Sequence, residues 1–131
     1  MNFSKNTYYG LKKITIPYAC KELESIFIDK SNIEAVPEIE HCVKLKHLSI
    51  QNSRITSIPK RYPPLLLSVN LSNNWLNNVN TNVLDFPSTA TIMLFNNNFG
   101  PERPNLTTHQ ICWGTQNNSS GRNNGYVPIT N

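Results

Sequence analysis

The chain has 131 residues, with twelve Lys or Arg against eight Asp or Glu, so its formal net charge is +4. This length favours a single domain. The basic residues form no run interleaved with aromatic residues, so nucleic-acid binding gains no support, and no apolar stretch of about 18 residues predicts a membrane span.

Residues 1–22 are predicted to form an N-terminal cap over a repeat array. The opening segment, MNFSKNTYYGLKKITIPYAC, contains no continuous apolar core of the kind that a secretory signal requires. Three cysteines without such a signal indicate reduced thiols, and we therefore expect a cytoplasmic protein. The apolar residues expected to cover the first repeat are Phe3, Tyr8, Tyr9, Leu11 and Ile14.

Residues 23–99 contain the same template of apolar and polar positions four times. The copies are LESIFIDKSNIEAVP, LKHLSIQNSRITSIP, LLSVNLSNNWLNNV and TATIMLFNNNF. Their first residues are Leu23, Leu45, Leu66 and Thr89, so the copies are offset by 22, 21 and 23 residues. Such a regular offset predicts a stack of similar coils, each of which buries its apolar side chains against the next.

Each copy is predicted to contain one strand followed by a turn. Alternate side chains of a strand point to opposite faces, so Leu48 and Ile50 are expected to point inward and Ser49 outward. A Ser or Asn follows each strand, and its side chain can satisfy neighbouring backbone groups in a buried ladder. These turn positions are Ser31, Ser53, Asn74 and Asn97.

The template resembles the leucine-rich repeat family, whose LxxLxLxxNxL motif recurs about every 20–29 residues. The short copies are most similar to the repeats of bacterial secreted effectors. The resemblance implies an α/β solenoid: a short leucine-rich repeat coil with a concave parallel β-sheet and irregular or short helical convex segments. About four repeats would occupy residues 23–99, with Ser31 and Ser53 departing from the Asn of the motif.

Three return segments would lie on the convex side. PEIEHCVK is compatible with one helical turn that places Ile39 and Val43 inward, whereas Pro63 and Pro64 require an extended segment. NTNVLDFP is expected to turn with Val83, Leu84 and Phe86 inward. The residues expected to close the coils are Val36, Ile58 and Val79.

Residues 100–131 are predicted to form a C-terminal cap and a flexible tail. Their apolar residues are isolated, and Leu106, Ile111 and Trp113 are expected to cover the last coil. The polar stretch at residues 116–125 favours a flexible loop or disorder.

No catalytic residue, metal site or cofactor is predicted. His41, Cys42 and His47 match no zinc framework, because the spacing is wrong and a fourth ligand is missing. Cys112 has no base positioned beside it in the sequence, as a nucleophile would need.

The outward strand positions carry the functional hypothesis. Most are small and polar, but Phe27, Met93 and Phe95 are large and apolar, and exposed residues of this kind often mark contacts. Alternatively, the two caps cover these three residues, because they lie at the ends of the array. The predicted partner-binding residues are Phe27, His47, Gln51, Asn70, Met93 and Phe95.

Two functions follow from the resemblance. The first is a monomeric, non-enzymatic protein that binds a protein partner through its concave sheet, as a pathogen protein inside a host cell would. The second is the substrate-recognition part of an enzyme, such as a ubiquitin ligase, whose catalytic domain is on another chain. The sequence does not identify the partner.

Overall fold

The computed structural model of the chain describes residues 13–101 and 107–117. One parallel sheet runs through this part of the chain, with its five strands in sequence order. The strands are β1 (Ser25–Asp29), β2 (His47–Gln51), β3 (Ser68–Asn70), β4 (Thr91–Met93) and β5 (Gln110–Cys112). Each strand pairs with the next, so the chain winds as a parallel β-solenoid of about four turns.

The strand register follows the repeat template. Ile26 aligns with Leu48, Leu48 with Val69, and Val69 with Ile92. The predicted strand phase is therefore confirmed. β5 was not predicted, although it continues the same register by pairing Ile92 with Ile111.

The core lies inside the coils, directly behind the sheet. All inward strand positions of the first four coils are at most 1% exposed, and burial of each such side chain contributes about 1.5–3 kcal/mol. The residues at these positions are Ile26, Ile28, Leu48, Ile50, Val69, Leu71, Ile92 and Leu94. A second column of buried residues follows the turn positions and consists of Ile33, Ile55, Leu76 and Phe99.

The convex side is irregular, and the helical turn expected after Val36 is not observed. Backbone N–H groups there bond two or three residues back and not four, as from Val43 to His41 and from Cys42 to Ile39. A segment this short cannot offset the cost of starting an α-helix. Within the described residues the only helical element is a 3₁₀ turn at Val83–Asp85.

Three convex side chains point outward, against expectation. Val43 is 47% exposed because the fully buried Cys42 takes the inward place. Val79 is 70% exposed because the Asn77 side chain accepts bonds from the N–H groups of residues 79 and 80, which turns the chain outward. Leu84 is 60% exposed, and its neighbours Val83 and Phe86 are buried as expected.

The fourth coil and the two ends show further adjustments. Thr89 is exposed, and the next residue, Ala90, is fully buried in its place. Ile14 is buried as expected, while Phe3, Tyr8, Tyr9, Leu11 and Leu106 lie outside the described residues.

At the other end, Trp113 meets the ring of Phe99 edge-on at 5.0 Å between centroids. Of residues 116–125, only Gln116 and Asn117 are described, and both bond to the preceding coils. No helix in the described part of the chain is long and apolar enough to cross a membrane.

Candidate functional site

A ladder of side-chain hydrogen bonds runs through the coils and fixes the edge of the sheet. The side-chain oxygen of Asn74 accepts from the Ile55 N–H at 3.1 Å, and that of Asn97 accepts from the Leu76 N–H at 3.0 Å. Each amide thus bonds the backbone of the coil before its own. At the start of the array, the hydroxyls of Ser31 and Ser53 lie 2.9 Å apart and take over this position.

The amide nitrogens of the same residues complete the ladder. Asn74 Nδ2 donates to the carbonyl oxygens of Ile50 at 2.7 Å and Leu71 at 3.0 Å. Asn97 Nδ2 donates to the carbonyl oxygens of Leu71 and Leu94 in the same way. Both side chains are fully buried, so each amide satisfies backbone groups that water cannot reach.

Gln116 extends this ladder into the last coil and was missed in the sequence. Its Oε1 accepts from the Phe99 N–H at 3.2 Å, and its Nε2 donates to the Leu94 carbonyl at 2.9 Å. A signal was present: Ile111, Trp113 and Gln116 repeat the spacing of the earlier strands and turns. The coil is shorter than the others and has Gln in place of Asn, so the template did not identify it.

The residue before each ladder position in the first four coils has a left-handed backbone. The φ angles are 56° at Lys30, 54° at Asn52, 60° at Asn73 and 56° at Asn96. Asn tolerates this conformation better than most residues, which explains why three of the four positions are Asn. The sharp turn ends each strand and lines up these four side chains along one edge of the solenoid.

The predicted partner-binding residues all lie on the outer face of the sheet or directly after it. Phe27, Asn70 and Met93 occupy one row across the strands, with Ser49 between the first two. Phe27 is 44% exposed, whereas Asn70 and Met93 are half-buried.

Polar side chains in the middle of this face bond to each other. His47 Nδ1 lies 2.8 Å from the Ser68 hydroxyl, and Gln51 Nε2 donates to the Ser49 hydroxyl at 2.9 Å. The centre of the face therefore presents polar side chains that are bonded to one another.

Phe95 lies at the far end of the same face and is 40% exposed. A Cβ atom added to Gly114 would overlap the Phe95 ring, so the aromatic ring lies directly against the last coil. Phe27 and Phe95 are three coils apart, which corresponds to roughly 14 Å at the usual spacing between strands. The structure therefore places the two aromatic residues at opposite ends and does not join them into one cluster.

Ion pairs at the opposite edge neutralise several basic side chains. Lys44 Nζ lies 2.7 Å from Glu22, and Lys46 Nζ lies 3.3 Å from Glu24 in the preceding coil. The hydrogen bond and charge of Lys44 lower the pKa of the Glu22 carboxyl, and Glu22 raises the pKa of Lys44 in turn.

The suspected metal ligands and nucleophile do not come together. The His41 ring lies against Tyr18 in a tilted arrangement, with 4.5 Å between ring centroids, Cys42 is fully buried, and His47 bonds Ser68. Burial raises the pKa of the Cys42 thiol. Among residues 13–101 and 107–117, no three His, Cys, Asp or Glu side chains are grouped as metal ligands.

His109 is the histidine nearest to Cys112 in the chain, and both of its ring nitrogens have partners. Nδ1 lies 2.8 Å from the Thr108 hydroxyl, and Nε2 lies 2.9 Å from the Phe86 carbonyl oxygen. Because the His109 ring is bonded to these two groups, it is not positioned as a general base for the exposed Cys112 thiol on β5.

Comparison with protein families, curated proteins and solved structures found no match to this chain.

Proposed function

We propose that this chain is a leucine-rich-repeat-type scaffold without catalytic activity that binds a protein partner through the outer face of its sheet. The family likeness is supported by the parallel sheet, by the buried Asn74 and Asn97 amides, and by the offsets of 22, 21 and 23 residues between copies. The free thiols of Cys20, Cys42 and Cys112 support a reducing compartment such as the cytosol.

The observation that carries the binding proposal is the exposure of two aromatic side chains on a mainly polar face. Phe27 is 44% exposed and Phe95 is 40% exposed. Binding energy usually concentrates in a few such anchors, and the residues between them mainly exclude water. The polar centre at His47, Gln51 and Asn70 would contact the partner between the two anchors.

The partner surface can be tested with single alanine variants. Immobilised wild-type protein, Phe27→Ala and Phe95→Ala are each exposed to cytosolic lysate, and retained proteins are quantified by mass spectrometry. A specific partner is retained by the wild type and depleted by both variants. With that partner purified, each variant should bind with a Kd weaker by roughly 30-fold, or about 2 kcal/mol.

Leu84→Ala provides the matched control, because it truncates an exposed apolar side chain on the convex side and should leave the Kd nearly unchanged. Thermal melts of all variants separate binding from folding. Loss of capture together with a large fall in Tm would mean that Phe27 and Phe95 are structural, and the proposed surface would be rejected.

A further inference from the structure

A polar groove of about 390 Å³ lies along the edge of the solenoid where the strands end. Its walls are side chains from three successive coils: Lys30, Asn32, Asn52, Arg54, Asn73 and Trp75. The volume is within the range of small-molecule sites, which is about 300–1,000 Å³. None of the residues proposed for the partner surface lines it, so the groove is a separate feature.

The repeat builds this groove from two columns of side chains. One wall holds the left-handed positions Lys30, Asn52 and Asn73, and the other holds the positions two residues later, Asn32, Arg54 and Trp75. Backbone hydrogen bonds join neighbouring coils along both walls: the Ser53 N–H donates to the Asn73 carbonyl, and the Arg54 N–H donates to the Ile33 carbonyl. Equivalent side chains therefore recur along the groove at roughly the 4.8 Å spacing of a sheet.

Both cationic groups in the groove lack an ion-pair partner. Lys44, Lys46 and Arg61 each lie within 4.0 Å of a Glu of the preceding coil, but no such pair involves Lys30 or Arg54 among the described residues. The Arg54 guanidinium lies 5.5 Å from the Trp75 ring centroid, which restrains it by a cation–π contact.

One carboxylate, that of Asp29, contacts a residue of the groove. The Asp29 carboxylate accepts from the Asn52 amide at 2.8 Å, and the described residues that line the groove include no acidic side chain. The Asp29 carboxylate keeps its charge because its partner is a neutral amide, and the groove wall itself carries two positive charges, those of Lys30 and Arg54.

We propose that this groove binds a short anionic saccharide, of about disaccharide size, that carries carboxylate groups. Lys30 and Arg54 would pair with its carboxylates, and Arg54 can do so with two parallel hydrogen bonds. Asn32, Asn52 and Asn73 supply amides that both donate and accept, which matches the hydroxyl groups of a sugar. Trp75 adds an apolar surface at one end of the groove.

An acidic peptide fits the same charge less well. Extended peptides gain affinity by adding a strand to a free sheet edge and by placing side chains in apolar pockets. Here the backbone groups of the coils already bond to each other along the groove, as at Asn52, Asn73 and Trp75. The walls are mainly amide and cationic, so they offer no apolar pockets for peptide side chains.

The test is a titration with a uronic-acid disaccharide, followed by calorimetry and by the Asn side-chain amide signals in nitrogen–proton correlation spectra. Binding should shift the Asn52 and Asn73 side-chain signals. Lys30→Gln and Arg54→Gln should each weaken binding about tenfold, since each removes one charge-assisted contact. Lys60→Gln is the matched control, because this exposed lysine lies outside the groove and its loss should leave the Kd unchanged.

Three further ligands decide the assignment. A neutral disaccharide of the same size, a glutamate tripeptide and inorganic phosphate should all bind at least tenfold more weakly than the uronate. Equal binding of the neutral sugar would remove the role of the cations, and equal binding of the tripeptide would indicate a peptide site. Phosphate that binds as tightly as the uronate would indicate a simple anion site. Each of these three results overturns the proposal, and so does a failure of the uronate to bind. Phe27→Ala should leave the uronate Kd unchanged, so this test does not depend on the partner surface.

Discussion

Replacing Asn74 by Ala should destabilise the protein far more than loss of an average asparagine. The Asn74 side chain is fully buried, and its oxygen accepts from the Ile55 N–H at 3.1 Å. Its nitrogen donates to the Ile50 carbonyl at 2.7 Å and to the Leu71 carbonyl at 3.0 Å. Alanine fills neither role, and the surrounding backbone groups cannot turn towards water.

The expected loss can be worked out from these contacts. A buried polar group left without a partner costs about 1–3 kcal/mol. The Ile55 N–H and the Ile50 carbonyl both lose their Asn74 contact. Partial relaxation of the coil lowers the sum, so we expect a loss of about 2–4 kcal/mol in the free energy of unfolding. This is a large share of the roughly 5–15 kcal/mol that stabilises a typical domain.

Urea denaturation followed by circular dichroism measures this change, with the slope of the transition showing whether cooperativity is kept. Asn32→Ala is the matched control: it makes the same chemical change at a half-buried site in the first coil, two coils before Asn74, and it should cost under about 1 kcal/mol. If Asn74→Ala lost no more stability than Asn32→Ala, the ladder would not stabilise the coils and the reasoning would fail.

Three other predictions use different parts of the structure. Leu48→Asp should prevent folding because it buries an unpaired charge at a site that is 1% exposed, whereas Ser49→Asp on the opposite face should cost under about 1 kcal/mol; equal damage in thermal melts would contradict the strand phase. Gly114→Ala should lower Tm and displace the Phe95 ring, since this glycine has a φ of 59° and no room for a Cβ. An unchanged Tm would show that the last coil does not pack against Phe95. With a thiol-alkylating reagent followed by mass spectrometry, the exposed Cys112 should react first and the buried Cys42 only on unfolding, and early labelling of Cys42 would contradict its burial. Because burial raises the pKa of the Cys42 thiol, the stability that this neutral thiol contributes is lost as the pH rises above the ordinary pKa of a thiol.

The candidate surfaces could be located only in part from the sequence. The outward strand positions follow from the alternation of residues such as Leu48 and Ser49, so the face that carries Phe27 was predictable. The groove was not predicted, because it depends on side chains from three coils and on which cations lack partners. In the sequence, Lys44 and Arg54 are simply two basic residues. Only the stacking of the coils pairs Lys44 with Glu22 and places Arg54 in the groove.

The sequence by itself determined the coiled architecture, because burial demands the same apolar and polar residues at the same point of every coil. Leu48, Ile50 and Asn74 occupy such points, and a shift of one residue would turn each side chain to the wrong face. Only the tertiary structure decided the convex side, the contacts of the last coil and the packing of the Phe95 ring against Gly114. Those features depend on contacts between residues far apart in the chain, such as Gln116 with Leu94 and Gly114 with Phe95. The spacing of Ile111, Trp113 and Gln116 repeats that of the earlier coils, but it does not specify these contacts, since many side chains could fill the same space.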